Sequence, residues 1–250
     1  MTYKKITSSL PLLSLLPLAV ATQLQAGEFN VGIGAYYSKP VYQDFKDNSG
    51  AFPLIEYQGE GWSVGAQGIN VDVYNTEQSP LSISLELSSL GQGYSASDSQ
   101  IFNGMQKRKA SVDLGVNVAY QVGQGSFNSS LMSDVSSTHK GYVLDINYQH
   151  NLPLMGGMFQ PSVGLSAHSD NFNNYYYGVR ASEVTGNRAA YQAKSSVNPY
   201  IGYQFLYPIN DNFNLAHGTS YTVLDSEIKN SPLVDRDNSW STFVGASYSF

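Results

Sequence analysis

The residues of this sequence best suited to chemistry are its histidines, and cysteine is absent. The histidines are His139, His150, His168 and His217. Ser166, His168 and Asp170 would share one face of a β-strand, because side chains alternate at period two. Serine, histidine and aspartate are the groups of a nucleophilic hydrolase, but a triad usually draws its members from separate elements. We therefore predict no catalytic residue. The four histidines also fall in different predicted strands without ligand spacing, so we expect no metal or cofactor.

Three carboxylates fall on predicted inward faces of strands, and two interpretations stay open for them. Glu86, Asp113 and Asp145 could form an acidic constriction that favours cations. They could equally pair with basic residues and close the lumen. The candidate partners are Lys107, Arg108, Lys109, Lys140 and Arg180.

The strands that would position these groups are clearest at the C-terminus, in residues 239–250. One face of this segment carries Trp240, Thr242, Val244, Ala246, Tyr248 and Phe250. The other face carries mainly serine and glycine. A two-faced strand that ends the chain on an aromatic residue suits the closing strand of a membrane barrel, which leaves no sheet edge unpaired. The pattern Gly245-x-x-Tyr248-x-Phe250 resembles the signal read by the outer-membrane assembly machinery.

Composition agrees with a barrel. Only 13% of the 250 residues are charged, whereas a soluble domain has about 25%. Glycine (23) and tyrosine (19) are abundant. These features fit strands that alternate lipid-facing and lumen-facing residues.

Residues 1–26 have the features of a cleaved secretory signal peptide. Lys4 and Lys5 precede an apolar stretch from Leu10 to Ala21, which is too short for a comfortable membrane-spanning helix. Cleavage could follow Ala21 or Ala26. The mature chain, residues 27–250, then has 11 basic and 19 acidic residues and a formal charge of −8. That charge argues against nucleic acid as a partner.

The mature chain alternates between strands and turns to its end. The pattern predicts an all-β, antiparallel, up-and-down transmembrane barrel of about ten strands, or twelve if the region 39–61 adds a hairpin. Residues 62–73 are predicted to form one long strand with a β-bulge at Gly68. Short turns are predicted at the periplasmic end and long loops at the extracellular end, with 169–196 the longest loop.

That longest loop carries an aromatic cluster at 173–177. It could stack on sugars or fold inward over the lumen, and it could equally pack on the rim of its own barrel. The candidate interaction residues are Tyr175, Tyr176, Tyr177, Arg188 and Tyr191.

Several segments of the mature chain resemble the MipA/OmpV family of outer-membrane proteins. They include Gly104-Met105 before Lys107 and Arg108, and Asp134 before His139 and Gly141. The most specific segments are Tyr176-Tyr177-Gly178-Val179 with Tyr191, and Ser231-Pro232-Leu233-Val234. The C-terminal Gly245-Ala246-Ser247-Tyr248-Ser249-Phe250 also matches.

The resemblance implies a barrel in the outer membrane of a Gram-negative bacterium. It implies a scaffold that links a lytic transglycosylase to a penicillin-binding protein of peptidoglycan synthesis. The alternative is a small porin-like or osmotically regulated barrel. We expect contacts with outer-membrane lipid and with the barrel assembly machinery. The family has no agreed catalytic or ligand residues to carry over.

Overall fold

The computed structural model describes residues 27–45, 48–91 and 93–250. The predicted signal peptide lies outside the described residues. The strands are β1 (Glu28–Lys39), β2 (Asn48–Gly59), β3 (Trp62–Gly65), β4 (Gly68–Asn75), β5 (Leu81–Ser88), β6 (Asp113–Val122), β7 (Gly125–Asp134), β8 (Tyr142–His150), β9 (Leu152–Leu154), β10 (Gly157–His168), β11 (Ser196–Pro208), β12 (Phe213–Val223) and β13 (Asn238–Ser249). Two short helices, α1 (Asp170–Tyr177) and α2 (Ser226–Lys229), lie in loops.

Antiparallel pairing closes these strands into a barrel. Each strand pairs with the next one in the chain, except that β8 pairs with β10 and not with β9. The last strand pairs with the first, with Val31 opposite Tyr248 and Tyr37 opposite Thr242. The short β9 pairs with β10 beyond the end of β8, so the circuit has twelve strands. The predicted closed barrel is confirmed. Its strand number is twelve, the alternative given above, and not ten.

One of the two extra strands is β2, in the region 39–61, and the other comes from residues 62–73, where the alternation changes phase. The prediction of one strand over residues 62–73 with a bulge at Gly68 is wrong. The chain instead reverses between β3 and β4, with Gly65 opposite Gly68. Gly68 has a φ of +135°, which residues with a Cβ rarely adopt. The bulge lies further on, between Asp72 and Tyr74. A tight turn and a bulge both shift the phase of alternation, so the pattern alone does not separate them.

Side chains alternate between the lumen and the outer surface as expected. Large apolar side chains remain exposed on the outer face, among them Ile33 (64% exposed), Ile201 (60%) and Val163 (54%). A belt of exposed apolar side chains around a closed sheet is the lipid-facing surface of a membrane barrel. Among the described residues, no helix has the length and apolar character needed to span a membrane.

The two ends of the barrel differ in the length of their connections. At one end, residues 60–61, 76–80, 123–124, 155–156 and 209–212 make short turns. At the other end, long connections follow β1, β5, β7, β10 and β12, and only the β3–β4 turn is short. This is the arrangement of short periplasmic turns and long extracellular loops that the sequence predicts.

Candidate functional site

The loops that follow β1, β5, β7, β10 and β12 join over the mouth of the barrel. We call their described residues the lid. Residues of the β1–β2 loop bridge to the β12–β13 loop, where Tyr42 lies opposite Val234. The Tyr42 hydroxyl donates to the backbone oxygen of Tyr176 in the β10–β11 loop at 3.4 Å. Because these loops leave different sides of the barrel, their contacts place a folded layer across the mouth.

The lid has a hydrophobic core of its own. Its buried members are Val41, Tyr42, Tyr94, Ile101, Phe102, Met105, Val179, Leu224, Ile228, Leu233 and Val234. Tyr94 stacks on Phe102 with ring centroids 4.0 Å apart, and Tyr42 meets Phe102 edge-on at 5.2 Å. Burial raises the pKa of Tyr42 and of Tyr94 well above the usual value for tyrosine. The long loops are therefore a packed structure.

A buried ion pair joins two loops within the lid. Arg108 donates to both carboxylate oxygens of Glu183, at 2.9 and 2.8 Å, and both side chains are 1% exposed. The backbone N–H groups of Gln106 and Arg180 also donate to this carboxylate, each at 3.0 Å. Burial by itself would raise the pKa of Glu183, but these hydrogen bonds and the Arg108 charge hold it at about 2. The partners are 75 positions apart in the chain, and no local pattern of the sequence indicated that they pair.

The C-terminal carbonyls of α1 are bound by side chains from two other loops, β5–β6 and β12–β13. Arg108 donates to the oxygen of Tyr175 at 2.7 Å, and Tyr94 to that of Tyr176 at 3.1 Å. Ser231 donates to the oxygen of Tyr177 at 2.6 Å. The last carbonyl groups of a helix have no hydrogen-bond partner within it. These donors therefore supply the missing hydrogen bonds and also hold the helix in the lid.

The N-terminal half of α1 is fastened to the barrel through Asn173, which is fully buried. Its amide donates to the oxygen of Lys194 at 2.6 Å and to Ser196 at 2.9 Å. The Asn173 Oδ1 is then left to accept, and it lies 3.3 Å from His168 Nδ1. The Nε2 of His168 lies 3.2 Å from the Ser166 hydroxyl. His168 thus meets Asn173 and not Asp170, the partner considered from the sequence.

Asp113, Asp134 and His139 bring ligand-type atoms within 4.8 Å of one another. Each of these atoms already has a protein donor or acceptor. The Nδ1 of His139 accepts from the N–H of Gly141 at 3.0 Å, so its Nε2 carries the proton toward Asp113, 3.1 Å away. Asp134 accepts from four groups in the loop that follows β7. The arrangement orders this loop, and the sequence spacing did not indicate it.

The three lumen carboxylates singled out from the sequence do not pair with lysine or arginine among the described residues. Asp113 meets His139, and Glu86 accepts from Asn117 at 2.7 Å. Asp145 accepts from the hydroxyl of Tyr200 at 2.8 Å. Of the basic residues proposed as partners, Arg108 binds Glu183 instead. The lumen is therefore not closed by ion pairs between these three groups and the described lysines and arginines.

The predicted interaction cluster lies mostly inside the lid. Tyr176 and Arg188 are each 2% exposed. Arg188 donates to backbone oxygens of Ile101, Asn103 and Glu183. Tyr177 is partly buried against the core, Tyr191 donates to the oxygen of Glu227, and the hydroxyl of Tyr175 accepts from Lys109. These side chains hold the lid together, which leaves only parts of Tyr175, Tyr177 and Tyr191 for a partner.

The residues of the proposed assembly signal lie at the short-turn end of β13. Tyr248 and Phe250 point outward, with ring centroids 4.8 Å apart, and Phe250 is 73% exposed. The N–H of Phe250 donates to the oxygen of Phe29 on β1 at 3.0 Å. Gly245 faces the lumen opposite Gly34, next to Leu54.

A closed antiparallel barrel with an apolar outer belt and a lid of long loops defines an outer-membrane β-barrel protein of a Gram-negative bacterium. The profile of one family, described as MltA-interacting protein MipA, matches residues 31–250. The chain therefore belongs to the MipA/OmpV family.

Relatives of known name agree with this assignment. The outer membrane protein OmpV of Vibrio cholerae is 32% identical over 224 residues, covering 90% of this chain and 87% of that protein. The MltA-interacting protein of Escherichia coli is 26% identical over 227 residues, covering 90% and 91%. These relatives are named as membrane or interacting proteins and not as enzymes. Among solved structures, the outer membrane channel DcaP of Acinetobacter baumannii aligns over 90% of this chain with 10% identity and a TM-score of 0.40. Likeness at this level carries no information on function.

Proposed function

We propose that this barrel is a scaffold of the cell envelope that holds peptidoglycan-processing enzymes at the outer membrane. In this proposal its partners are a lytic transglycosylase and a penicillin-binding protein. The name of the Escherichia coli relative supports an interaction with the first of these. The observation that carries the proposal is the lid, because a barrel whose mouth is covered by a packed layer with a buried ion pair is poorly built as an open channel.

A scaffold of this kind would meet its partners at the short-turn end, which faces the periplasm. There Met155 is 85% exposed, the highest value among the large hydrophobic side chains of the described residues. It lies in a left-handed turn with a φ of 51°, so the backbone holds the side chain away from the barrel. Ile209, 54% exposed, lies in the turn after β11, the strand that pairs with β10. Exposed apolar side chains on neighbouring turns are suited to contact another protein.

Site-specific crosslinking in intact cells tests this proposal. A photoreactive amino acid at Met155 should yield adducts that contain a murein enzyme, identified by mass spectrometry. The matched control is the same residue at Val184, which is 47% exposed but lies in the lid. Adducts of murein enzymes with equal yield at both positions, or at neither, would contradict the proposal. Stepwise conductance of the purified barrel in planar bilayers would favour the channel function instead.

A further inference from the structure

Strand pairing is incomplete on one side of β2 among the described residues, and we call this stretch of the wall the window. The β3–β4 hairpin ends where Glu56 lies opposite Gly65, although β2 continues to Asn48. On that side, residues 48–54 have no strand partner among the described residues, over about 20 Å of strand. Above the window the β5–β6 loop crosses to the β1–β2 loop, where Ser99 donates to the oxygen of Gln43 at 2.6 Å.

The free edge of β2 is poorly suited to pair with another strand. In antiparallel pairing the backbone groups of alternate residues point to opposite edges. Pro53 lies opposite Ile33 of β1 and has no N–H to donate to that strand. Its position therefore fits the residues whose backbone groups point to the window, together with Ser49 and Ala51. Proline within this set interrupts the row of donors, a common protection of edge strands.

Next to the window, the inward face of β2 is apolar between Asn48 and Glu56, which lie on the same face at its two ends. Phe52 and Leu54 of β2 point inward, and the Phe52 ring covers Gly34. Tyr36 lies beside Phe52 with ring centroids 6.1 Å apart, and the buried Phe243 covers Gly218. Glycine at these positions lets the rings lie against the sheet, because a Cβ would overlap them.

The lumen wall on the opposite side is mainly polar. Asn117 binds Glu86, Asn128 binds Asn147 at 3.0 Å, and Tyr200 binds Asp145. These residues belong to β5–β8 and β11, away from the apolar wall on β12, β13, β1 and β2. Met132 of β7 and Val143 of β8 are also buried, inward and apolar, but Val143 packs on Phe172 and Tyr176 of the lid. The apolar side chains beside the window form a separate group.

We propose that the window admits an acyl chain of a membrane lipid, which lies against Tyr36, Phe52, Leu54 and Phe243. The window opens on the lipid-facing surface in the half of the barrel nearer the lid, so lipid chains are the apolar groups present there. An acyl chain needs no hydrogen bond from the broken edge of β2, whereas an added strand does. Burial of its methylene groups against the apolar wall would stabilise the bound chain.

Fluorescence quenching in lipid vesicles tests the window directly. The chain has no cysteine, so a single Leu54→Cys variant of the full barrel can carry one bimane label. It is reconstituted in phosphatidylcholine vesicles that contain phosphatidylcholine with a doxyl-labelled acyl chain. Ile55→Cys, which points to lipid, is the positive control, and Asn128→Cys, on the polar wall, is the negative control. We expect quenching at position 54 close to that at 55, and little quenching at 128.

A second substitution separates the window from general access to the lumen. Phe52→Asp, made in the Leu54→Cys background, places a charge on the apolar wall and should abolish quenching at position 54. Heat-modifiable mobility on gels checks that each variant has folded. If Leu54→Cys does not fold, Phe52→Cys with Leu54→Asp replaces the pair. Equal quenching at 54 and 128, or unchanged quenching in the charged variant, would overturn the proposal.

Discussion

Arg108 and Glu183 form a bidentate ion pair that is 1% exposed on both sides and joins the β5–β6 loop to the β10–β11 loop. Arg108 also donates to the oxygens of Gln106 and Tyr175. One guanidinium therefore links three segments of the lid. A buried charge left without its partner is costly, typically about 3–5 kcal/mol.

Removing one member of this pair should open the lid and leave the barrel intact. We expect Glu183→Gln to make residues 93–112 and 169–195 accessible to protease and to hydrogen exchange, with heat-modifiable mobility unchanged. The double variant Arg108→Met/Glu183→Leu should be less accessible than the single variant, because it buries no unpaired charge. Equal protection of wild type and Glu183→Gln would contradict this role.

The same pair makes the lid sensitive to strong acid. The pKa of Glu183 is held at about 2 in the folded lid, below its ordinary value of 4.5. A depressed carboxyl pKa stabilises the folded form fully above the ordinary value, and this contribution is lost as pH falls toward 2. The protection factors of the lid amides, which correct for the intrinsic pH dependence of exchange, should therefore be constant from pH 7 to 5 and fall below 4.5. In Glu183→Gln this fall should be much smaller, and the same fall in both proteins would contradict the assignment.

Gly91 is required for the packing of α1 against the lid. A Cβ at this position would overlap the hydroxyl and ring of Tyr176, which is 2% exposed. Gly91→Ala should displace Tyr176 and increase proteolysis of the lid. Gly186→Ala is the matched control, because a Cβ there would meet nothing within 4 Å. Similar proteolysis of the two variants would show that the lid tolerates the displacement.

Asn173 should be needed for docking of the β10–β11 loop. Asn173→Ala removes donors to Lys194 and Ser196 and the acceptor next to His168. Leaving buried partners unsatisfied costs about 1–3 kcal/mol. We expect faster hydrogen exchange over residues 169–196, and no such change in Asn174→Ala, whose side chain is exposed. Unchanged exchange in Asn173→Ala would mean that aromatic packing alone holds the loop.

Deletion of Phe250 should impair assembly more than any single change in the lid. This residue ends the closing strand, and its N–H bonds to Phe29 of the first strand. We expect lower outer-membrane levels and loss of heat-modifiable mobility, with Val184→Ala as the control. Normal levels of the shortened protein would count against an assembly signal at Gly245, Tyr248 and Phe250.

The architecture of the barrel could be predicted from the sequence because its cause is local. Every second residue of a membrane strand meets lipid, so β5 and β6 show their faces directly in the sequence. The alternation in residues 239–250 likewise predicted the strand that closes the barrel, and β13 does pair with β1. The strand count stayed open because the region 39–61, which contains β2, could be read as a loop or as strands. The reversal at Gly68 was missed because a reversal of the chain and a bulge change the phase of alternation in the same way.

The lid was decided only by the tertiary structure. Its contacts join residues far apart in the chain, such as Arg108 with Glu183 and Tyr42 with Tyr176, and loops have no periodicity that reveals such partners. The aromatic cluster at 173–177 could be found in the sequence, but its burial depends on four other loops. Local alternation therefore determined the barrel, the membrane and the closing strand. Long-range packing determined whether the mouth is covered, which groups meet there and where the wall is open.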